Sequence, residues 1–194
     1  MAGALKEVAS AAVQAAKGAL GELSDKIWRN PELGFQEYKA HQLLTEFLEE
    51  RGFKVERGFS GLETAFRATF GEGRPNVCVI CEYDALPGIG HACGHNLIAE
   101  AGVAAGLGVK AALEKEGAPT GTLTVMGTPA EEGGGGKIVL IDNRAFSDID
   151  VAMMVHPAPY SVVRPGFIAV SCHIASFTGK ASHAATHPWE GSTL

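Results

Sequence analysis

The sequence has no excess of positive charge and few cysteines, and each shortage excludes a class of protein. Lysine and arginine number 16 against 22 aspartates and glutamates, so the formal net charge is −6. Nucleic-acid-binding domains need clustered basic residues, so we expect no nucleic-acid partner. The four cysteines are too few for the disulfide framework of a secreted domain, which favours a reducing compartment.

The sequence also lacks a secretory signal and any apolar run that we would expect to span a bilayer. Its first 28 residues contain no arginine and include Glu7, a composition that disfavours a mitochondrial presequence. We therefore expect a cytoplasmic protein with no membrane partner.

The pattern that is present is typical of an α/β protein. Hydrophobic periodicity predicts helices over residues 4–28, 37–50 and 97–115, and another helix after the glycine loop that begins at Gly133. Apolar runs of β type lie between them, namely "FKVERG", "ETAFRATF", "NVCVICEYD", "GTLTVMGTP" and "DVAMMVHP". Strands that alternate with helices indicate an α/β fold whose functional residues follow the strands.

Cys78 and Cys81 have the spacing of a CxxC motif, which we interpret as structural. Both lie in the β-type run "NVCVIC", and residues three apart on a strand point to opposite faces of the sheet. We therefore expect two core thiols rather than a metal or redox pair.

The sequence changes character after Pro165. The segment "GFIAVSCHIASFTGKASHAA" predicts a long strand, a turn and the start of a new helix, and the sequence then reads "EGSTL". A strand with the beginning of a helix cannot bury its own apolar face. We therefore expect one domain over residues 1–165 and the beginning of a second, incomplete domain over residues 166–194.

Clusters of polar residues follow three of the predicted strands. The first is "CEYDALPGIGHACGHN", the second is "GTPAEEGGGG" and the third is "MMVHP". In the first cluster Gly94 permits a tight turn, and we expect Asn96 to cap the helix that follows. Clusters at several strand ends can assemble into one site in three dimensions.

The residue types in these clusters are those of a metal site. Thiolate, imidazole and carboxylate are ligands for zinc and its first-row neighbours, and the candidate ligands are Cys93, His95, Glu132 and His156. Glu131, which is left without a metal, is expected to take a proton from water and pass it to a leaving amine. Cys93 favours zinc by its softness, although the other ligands also suit manganese or cobalt.

Each of these residues taken singly also has a structural explanation. A strand-end histidine such as His156 is often structural, and a Glu–Glu pair before glycines often serves a helix N-terminus. The co-occurrence of three clusters favours the metal site, with His91 as a supporting residue. A cysteine hydrolase using Cys93 and His95 is the rival chemistry, but this spacing is poor for a nucleophile and its base.

The polar clusters and two further segments resemble those of the aminoacylase and carnosine-dipeptidase type of metallopeptidases, peptidase family M20. The resemblance is carried in order by "RNPELGFQE", "CEYDALPGIGHACGHN", "GTPAEEGGGGK", "MMVHP" and "GKASHAATHPWEG". It is strongest toward the branch with indole-acetyl-amino-acid hydrolases, aminobenzoyl-glutamate hydrolase and Xaa-Arg dipeptidases.

The resemblance implies roles for individual residues. It assigns the four candidate ligands to a pair of divalent metal ions, and it assigns Glu131 to the general base and acid. His183, in "GKASHAA", would help to stabilise the tetrahedral oxyanion, often across a dimer. Asp84 falls near the acidic residue that supports the metal site.

The resemblance also implies the architecture and the activity. The expected fold is a three-layer, zinc-exopeptidase-like catalytic domain with a mixed sheet, followed by the start of an α+β lid that forms a homodimer. Members of the family continue beyond the lid with a further histidine ligand, so we expect a truncated chain.

The expected reaction is metal-dependent hydrolysis of an amide bond. The substrates implied are dipeptides with a basic C-terminal residue, such as β-alanyl-lysine, or N-acyl amino acids. The alternative is a catalytically inactive form that binds metal or a full-length partner.

Overall fold

The β-type runs form one mixed sheet in a computed structural model that describes residues 2–117, 121–166, 169, 173–176 and 178–193. The chain divides into two compact units between Ala158 and Pro159, and the sheet belongs to the first. Its strands are β1 (Lys54–Arg57), β2 (Phe66–Glu72), β3 (Asn76–Cys81), β4 (Gly121–Gly127) and β5 (Val151–Met153).

The strand order across the sheet is β1-β2-β4-β3-β5. Strands β3, β4 and β5 run parallel to one another, whereas β2 is antiparallel to both β1 and β4. Cys81 lies opposite Gly127 in the register of β3 with β4. The carboxyl ends of the three parallel strands therefore meet at one edge of the sheet, where α/β proteins place their functional residues.

Four helices cover the two faces of the sheet. They are α1 (Ala2–Trp28), α2 (Tyr38–Glu49), α3 (His95–Glu116) and α4 (Gly136–Asp142). Side chains of the first three pack with those of the strands in one core cluster, and Leu140 of α4 packs in a second cluster. Helices on both faces of a mixed sheet confirm the predicted three-layer α/β fold.

The two buried cysteines of β3 confirm that the sheet separates two cores. Cys81 belongs to the cluster with Leu44, whereas Cys78 belongs to the cluster with Leu140, and both thiols are free and fully buried. Residues three apart on a strand alternate in direction, so the two thiols face opposite layers and cannot share one ligand.

Helix α3 has the length and apolar composition of a membrane span, so the prediction that no segment does was wrong on composition. The physical reason for the apolar composition of α3 is that this helix lies between α1 and the sheet. Gly102 lies so close to β3 that a Cβ there would stand 2.4 Å from Cys81 Sγ. Small and apolar residues are required on a helix that is covered in this way.

Strand β5 differs from its prediction as a buried strand. Val151 is 49% exposed and Met153 is 60% exposed. The strand pairs only with β3 in the described residues, through three residue positions, and so lies at the edge of the sheet. An apolar run predicts a strand, but its neighbours decide whether that strand is covered.

The second unit contains short elements in its described residues. Gly179–Lys180 pairs antiparallel with Ser192–Thr193, and a single 3-10 turn spans Pro188–Glu190. The new helix was predicted to start within "GKASHAA", but residues 184–186 form a turn and the 3-10 turn comes after them. Much of the long strand predicted after Pro165 falls on residues 167–172, most of which lie outside the described residues. The domain boundary after Pro165 stays a prediction.

Substitution of Gly127 by alanine is expected to destabilise the first unit. A Cβ at this position would lie 2.1 Å from Cε1 of Phe66, a fully buried ring stacked on Tyr83. Overpacking of this kind costs about 1–3 kcal/mol of the free energy of unfolding, measurable by urea denaturation. Gly18→Ala is the control, because a Cβ there meets nothing within 4 Å and should stabilise helix α1 by about 0.5–1 kcal/mol. Equal effects of the two substitutions would contradict this packing.

The ion pair of Arg67 with Asp148 is expected to make stability depend on acid pH. Arg67 donates two hydrogen bonds to the carboxylate, which lowers the pKa of Asp148 below its ordinary value. A lowered carboxyl pKa adds stability at neutral pH that is lost as the folded-state group is protonated. Asp148→Asn should therefore cost about 1 kcal/mol or less at pH 7, because the side chain of Asp148 is 49% exposed. The difference in free energy of unfolding should shrink as the pH falls below about 4, and a pH-independent difference would contradict the pair.

Candidate metal centre

Polar side chains from four segments meet at the carboxyl edge of the parallel strands. Glu82 and Asp84 follow β3, the pair Glu131 and Glu132 follows β4, and His156 follows β5. His95 joins them from the first position of α3. The edge therefore gathers residues that are far apart in sequence, as predicted for the polar clusters.

His95 is held by the carboxylate of Asp84. Both side chains are buried, and His95 Nδ1 lies 3.0 Å from Asp84 Oδ1. The second oxygen, Oδ2, accepts a hydrogen bond of 2.9 Å from the backbone N–H of Glu132. Since the carboxylate can only accept, Nδ1 of His95 carries a proton, and in the neutral imidazole Nε2 then has a free lone pair.

The hydrogen bond between the two residues shifts both pKa values. Burial alone would raise the pKa of Asp84, but the hydrogen bonds from His95 and from the backbone of Glu132 and Glu131, together with the charge of His95, leave the pKa below its ordinary value. Burial alone would lower the pKa of His95, but the hydrogen bond and charge of Asp84 raise it. The pair is therefore an anchored imidazole next to an ionised carboxylate.

Nε2 of His95 faces three carboxylates. It lies 3.4 Å from Glu82 Oε2, 3.6 Å from Glu132 Oε1 and 3.7 Å from Glu131 Oε2. Nε2 is buried and forms no hydrogen bond with the described residues, and the same is true of Glu82 Oε2. Buried polar atoms that lack partners and converge on one point fit a divalent cation.

Two groups of donor atoms at this edge are close enough to hold metal ions. One comprises Cys93, His95 and Glu132, and the other comprises Glu82, His95 and His156. Within each group the donor atoms lie within 4.8 Å of one another. The structure thus brings together the four predicted ligands, although no single group contains all of them. Their role as ligands stays a prediction.

His156 presents one ring nitrogen to the centre. Its Nδ1 lies 2.9 Å from the carbonyl oxygen of Pro157, which can only accept, so Nδ1 carries the proton. Its ring centroid lies 6.4 Å from that of His95, with the two planes at 83°. Nε2 of His156 is therefore left as the atom that can act as a ligand.

Cys93 is a half-buried free thiol on the turn before α3. Burial, with a further contribution from Glu132, raises its pKa to about 11. Both nitrogens of His95 face carboxylates rather than acting on the thiol. This geometry disfavours the cysteine-hydrolase chemistry, which requires a thiolate paired with a base.

Glu131 differs from Glu132 in its surroundings. Glu131 belongs to neither donor group of the described residues, and its side chain is 43% exposed. Burial and the charge of Glu82 raise its pKa, and Lys137 partly offsets this. A carboxylate with a raised pKa beside a metal centre is suited to proton transfer.

Glu82 and Lys137 are site residues that the motifs did not identify. The side chain of Glu82 is 2% exposed, and its Oε1 accepts a hydrogen bond from Lys137 Nζ. Glu82 and Asp84 stand two positions apart after β3, a spacing that would keep both on one side of an extended chain. That spacing was the available signal for Glu82, whereas the contact of Lys137 depends on the course of the glycine loop.

The prediction that Asn96 caps α3 was wrong. Gly94 occupies the cap position with a φ of 81°, and the helix begins at His95. The side chain of Asn96 donates a 3.1 Å hydrogen bond to Ser24 Oγ on α1. Asn96 therefore fixes α3 to α1 and does not satisfy the free N–H groups of the helix end.

The two other histidines that were predicted to belong to the site, His91 and His183, have different settings. His91 is 7% exposed, and burial, with the charge of His95, lowers its pKa, but it supplies no atom to either donor group. His183 lies in the second unit, where its Nδ1 accepts hydrogen bonds from the backbone N–H groups of Ala185 and Thr186, at 3.2 and 3.3 Å. The supporting role of His91 and the oxyanion role of His183 stay predictions.

The sheet and the donor atoms define an α/β protein with a candidate metal centre at the carboxyl edge of its parallel strands. The sequence profile of Peptidase family M20/M25/M40 matches residues 78–188, which is more than half of the chain. The chain belongs to this family, as the motifs predicted.

Two curated relatives resemble most of the chain. The Xaa-Arg dipeptidase of Mus musculus is 47% identical over 96% of this chain and 46% of its own length. One of the subunits of p-aminobenzoyl-glutamate hydrolase from Escherichia coli (strain K12) is 34% identical over 93% of this chain and 41% of its own length. The chain therefore spans less than half the length of these two relatives.

Solved structures share the fold. A Bacillus subtilis protein described as a dinuclear metal binding peptidase from family M20 matches with a TM-score of 0.61 at 24% identity, over 75% of this chain and 44% of its own. An aminobenzoyl-glutamate utilization protein from Klebsiella pneumoniae matches with a TM-score of 0.61 at 18% identity, over 74% of this chain and 44% of its own. At these identities the likeness concerns the fold alone, and it confirms the α/β prediction.

Asp84→Asn is expected to weaken zinc binding about 10–100-fold, because residues that orient a metal-binding histidine have effects of this size. The asparagine keeps the volume of Asp84 but loses its charge and has only one acceptor oxygen, so it cannot accept from both His95 and the backbone N–H of Glu132. Zinc affinity can be measured by competition with a chromophoric chelator. Asp142→Asn on the exposed face of α4 is the control and should leave the affinity unchanged. Equal affinities for the unmodified protein and Asp84→Asn would contradict the orienting role of Asp84.

Proposed function

We propose that this protein hydrolyses the amide bond of dipeptides with a basic C-terminal residue, with N-acyl amino acids as the alternative substrate class, and that it uses two divalent metal ions. The observation that carries the proposal is the unpartnered Nε2 of His95, buried and surrounded by three carboxylates. This cluster of buried polar atoms is unfavourable without a cation, and the same atoms can coordinate a cation when it binds.

The proposed ligands are Cys93, His95, Glu132 and His156. Their donor atoms already lie within reach of common points in the two groups that share His95. A thiolate with two imidazoles favours zinc, and the carboxylate also suits manganese or cobalt. Divalent ions in such sites supply Lewis-acid activation of a carbonyl group and of water. The dinuclear metal binding named for the Bacillus subtilis relative supports the proposed pair of ions.

Glu131 is the proposed general base and acid. It stands next to the ligand Glu132 but outside both donor groups, and its half-exposed carboxylate is accessible to water. Its Oε atoms would take a proton from the attacking water and deliver it to the amine nitrogen that leaves. The raised pKa of Glu131 suits both halves of this transfer.

Lys137 is proposed to stabilise the arrangement of the carboxylates at this edge of the sheet. It donates a hydrogen bond to Glu82 Oε1, while Glu82 Oε2 lies 3.4 Å from His95. A fully buried carboxylate requires a charged partner or hydrogen bonds. Lys137 therefore offsets the charge of Glu82 and leaves the other carboxylates at this edge for cations.

The preference for a basic C-terminal residue rests on the relatives. The Xaa-Arg dipeptidases of Mus musculus and Homo sapiens are 47% and 46% identical to this chain. The formal net charge of −6 is compatible with a cationic substrate. The hydrolase from Escherichia coli, at 34% identity, supports the broader class of acyl-amino-acid substrates.

Further features of the whole protein are part of the proposal. We propose that residues 166–194 begin a lid domain, that His183 stabilises the oxyanion, and that the protein forms a homodimer. Association is supported by the Escherichia coli relative, which is named as one subunit of its enzyme. A cytoplasmic location is supported by the three free thiols of the described residues.

Glu131→Gln is expected to reduce the kcat for β-alanyl-lysine hydrolysis about 10²–10⁴-fold, the usual contribution of general acid–base catalysis. Zinc binding should be retained, because Glu131 is outside both donor groups. Release of lysine by the zinc- or manganese-loaded protein is the measurement, with Glu72→Gln at the exposed end of β2 as the control.

Two outcomes would contradict the proposal. Retained activity in Glu131→Gln would remove Glu131 from the mechanism. No turnover of β-alanyl-lysine or an N-acyl amino acid by the unmodified, metal-loaded protein would overturn the proposed function.

A further inference from the structure

The backbone just before the acidic pair has an unusual conformation. Ala130 directly precedes Glu131 and has a φ of 55°, in the left-handed region that residues other than glycine rarely adopt. Ala130 is also completely buried. A conformation of this kind persists only where neighbouring groups hold it in place.

The group that holds Ala130 is a buried carboxylate that lies 93 positions earlier in the sequence. Glu37, which precedes the first residue of α2, is fully buried. Its Oε1 accepts a 2.8 Å hydrogen bond from the backbone N–H of Ala130, and its Oε2 accepts a 2.8 Å hydrogen bond from Thr64 Oγ1. Thr64 is fixed in turn, because its carbonyl oxygen accepts a 2.6 Å hydrogen bond from the hydroxyl of Tyr83.

The loop around Ala130 has little room to move. The carbonyl oxygen of Ala130 accepts a hydrogen bond of 3.1 Å from the N–H of Gly136. A Cβ at Gly136 would stand 1.9 Å from the carbonyl oxygen of Pro129, and a Cβ at Gly34 would stand 2.9 Å from the Cβ of Ala130. The glycines therefore let the loop close tightly around Ala130.

The backbone on either side of Glu131 is thus fixed by two buried carboxylates, those of Glu37 and Asp84. Glu37 binds the N–H of Ala130, and Asp84 binds the N–H of Glu132 at 2.9 Å. Glu131 lies between these two anchors. Asp84 also holds His95, so one anchor belongs to the metal centre, whereas Glu37 binds the loop through the backbone N–H of Ala130.

We propose that Glu37 is a positioning residue, which holds the loop at Ala130 so that Glu131 and Glu132 face the metal centre. This inference rests on the proposed function, because that proposal assigns Glu131 to proton transfer and Glu132 to metal binding. Among the described residues, the Glu37 side chain accepts hydrogen bonds from Ala130 and Thr64 and belongs to neither donor group, so it acts through the Ala130 N–H.

Two substitutions distinguish the effect of side-chain length at position 37 from the effect of its charge. Glu37→Gln loses the charge but keeps the length, so its amide oxygen can still accept the hydrogen bond from Ala130 while its NH₂ group faces Thr64. Glu37→Asp keeps the charge but is one methylene shorter, so its carboxylate cannot reach both partners. A positioning role predicts damage from Glu37→Asp and little from Glu37→Gln, whereas an electrostatic role predicts the reverse.

The first measurement is the zinc affinity of the 194-residue protein, by chelator competition. Glu37→Asp should weaken zinc binding by about tenfold or more, as supporting residues of metal sites do, and Glu37→Gln should bind nearly as well as the unmodified protein. Thr64→Val is the matched control, because it removes the other hydrogen bond of Glu37 and leaves the Ala130 contact. It should lower the thermal midpoint without a comparable loss of zinc affinity.

The second measurement is amide hydrogen exchange of the metal-free protein, which does not depend on turnover. Glu37→Asp should speed exchange at Ala130 and also at Glu132, which Glu37 does not touch, by about tenfold relative to Glu37→Gln. Faster exchange at Ala130 alone would show a local contact and would overturn the positioning role. Zinc affinity and Glu132 exchange that are equal in the Asp and Gln variants would overturn it as well.

These measurements distinguish a failure of the proposed function from a failure of the proposed role of Glu37. A protein that binds zinc and shows the predicted difference between the Glu37 variants, but hydrolyses neither substrate class, would overturn the proposed function and leave the positioning of the loop supported. A protein that hydrolyses β-alanyl-lysine equally well with aspartate or glutamine at position 37, with unchanged Glu132 exchange, would overturn the role of Glu37 alone.

Discussion

The hydrogen bonds of the Asp84 carboxylate are the constraint on which the candidate centre depends. One oxygen fixes the imidazole of His95, and the other fixes the backbone N–H of Glu132. These partners lie 11 and 48 residues further along the chain, so a single buried group sets the relative position of two proposed ligands. Because Asp84 is 1% exposed, water does not compete effectively for either hydrogen bond.

The same edge of the sheet concentrates negative charge, and this links stability to binding. Glu82, Glu131 and Glu132 surround one nitrogen of His95, and Lys137 donates a hydrogen bond to the first of them. Carboxylates brought together in a partly buried place destabilise the folded chain unless cations neutralise them. Ions that bind there would stabilise the folded state by an amount that grows with the logarithm of the free ion concentration divided by Kd.

The elements with strong local patterns were predictable from sequence. The predicted bounds of the first three helices agree with α1, α2 and α3 to within two residues, because amphipathic periodicity and glycine breakers depend only on neighbouring positions. The placement of Cys78 and Cys81 on opposite faces of the sheet followed from the alternation of a strand. Exposure of β5 and the partner of Asn96 were not predictable, since each depends on what another segment places beside it.

The sequence by itself determined the α/β class, the family and the chemical types gathered after the strands. The turn "HACGHN" offered two possible ligands, and the later clusters offered the remaining donors. Only the tertiary structure decided that Glu82 faces His95, that Lys137 meets Glu82, and that Glu37 binds the strained loop at Ala130. The physical reason is the separation along the sequence over which each kind of interaction acts. Propensity and periodicity act over a few residues, whereas these contacts join segments 13 to 93 positions apart and form only when the sheet brings its strand ends together.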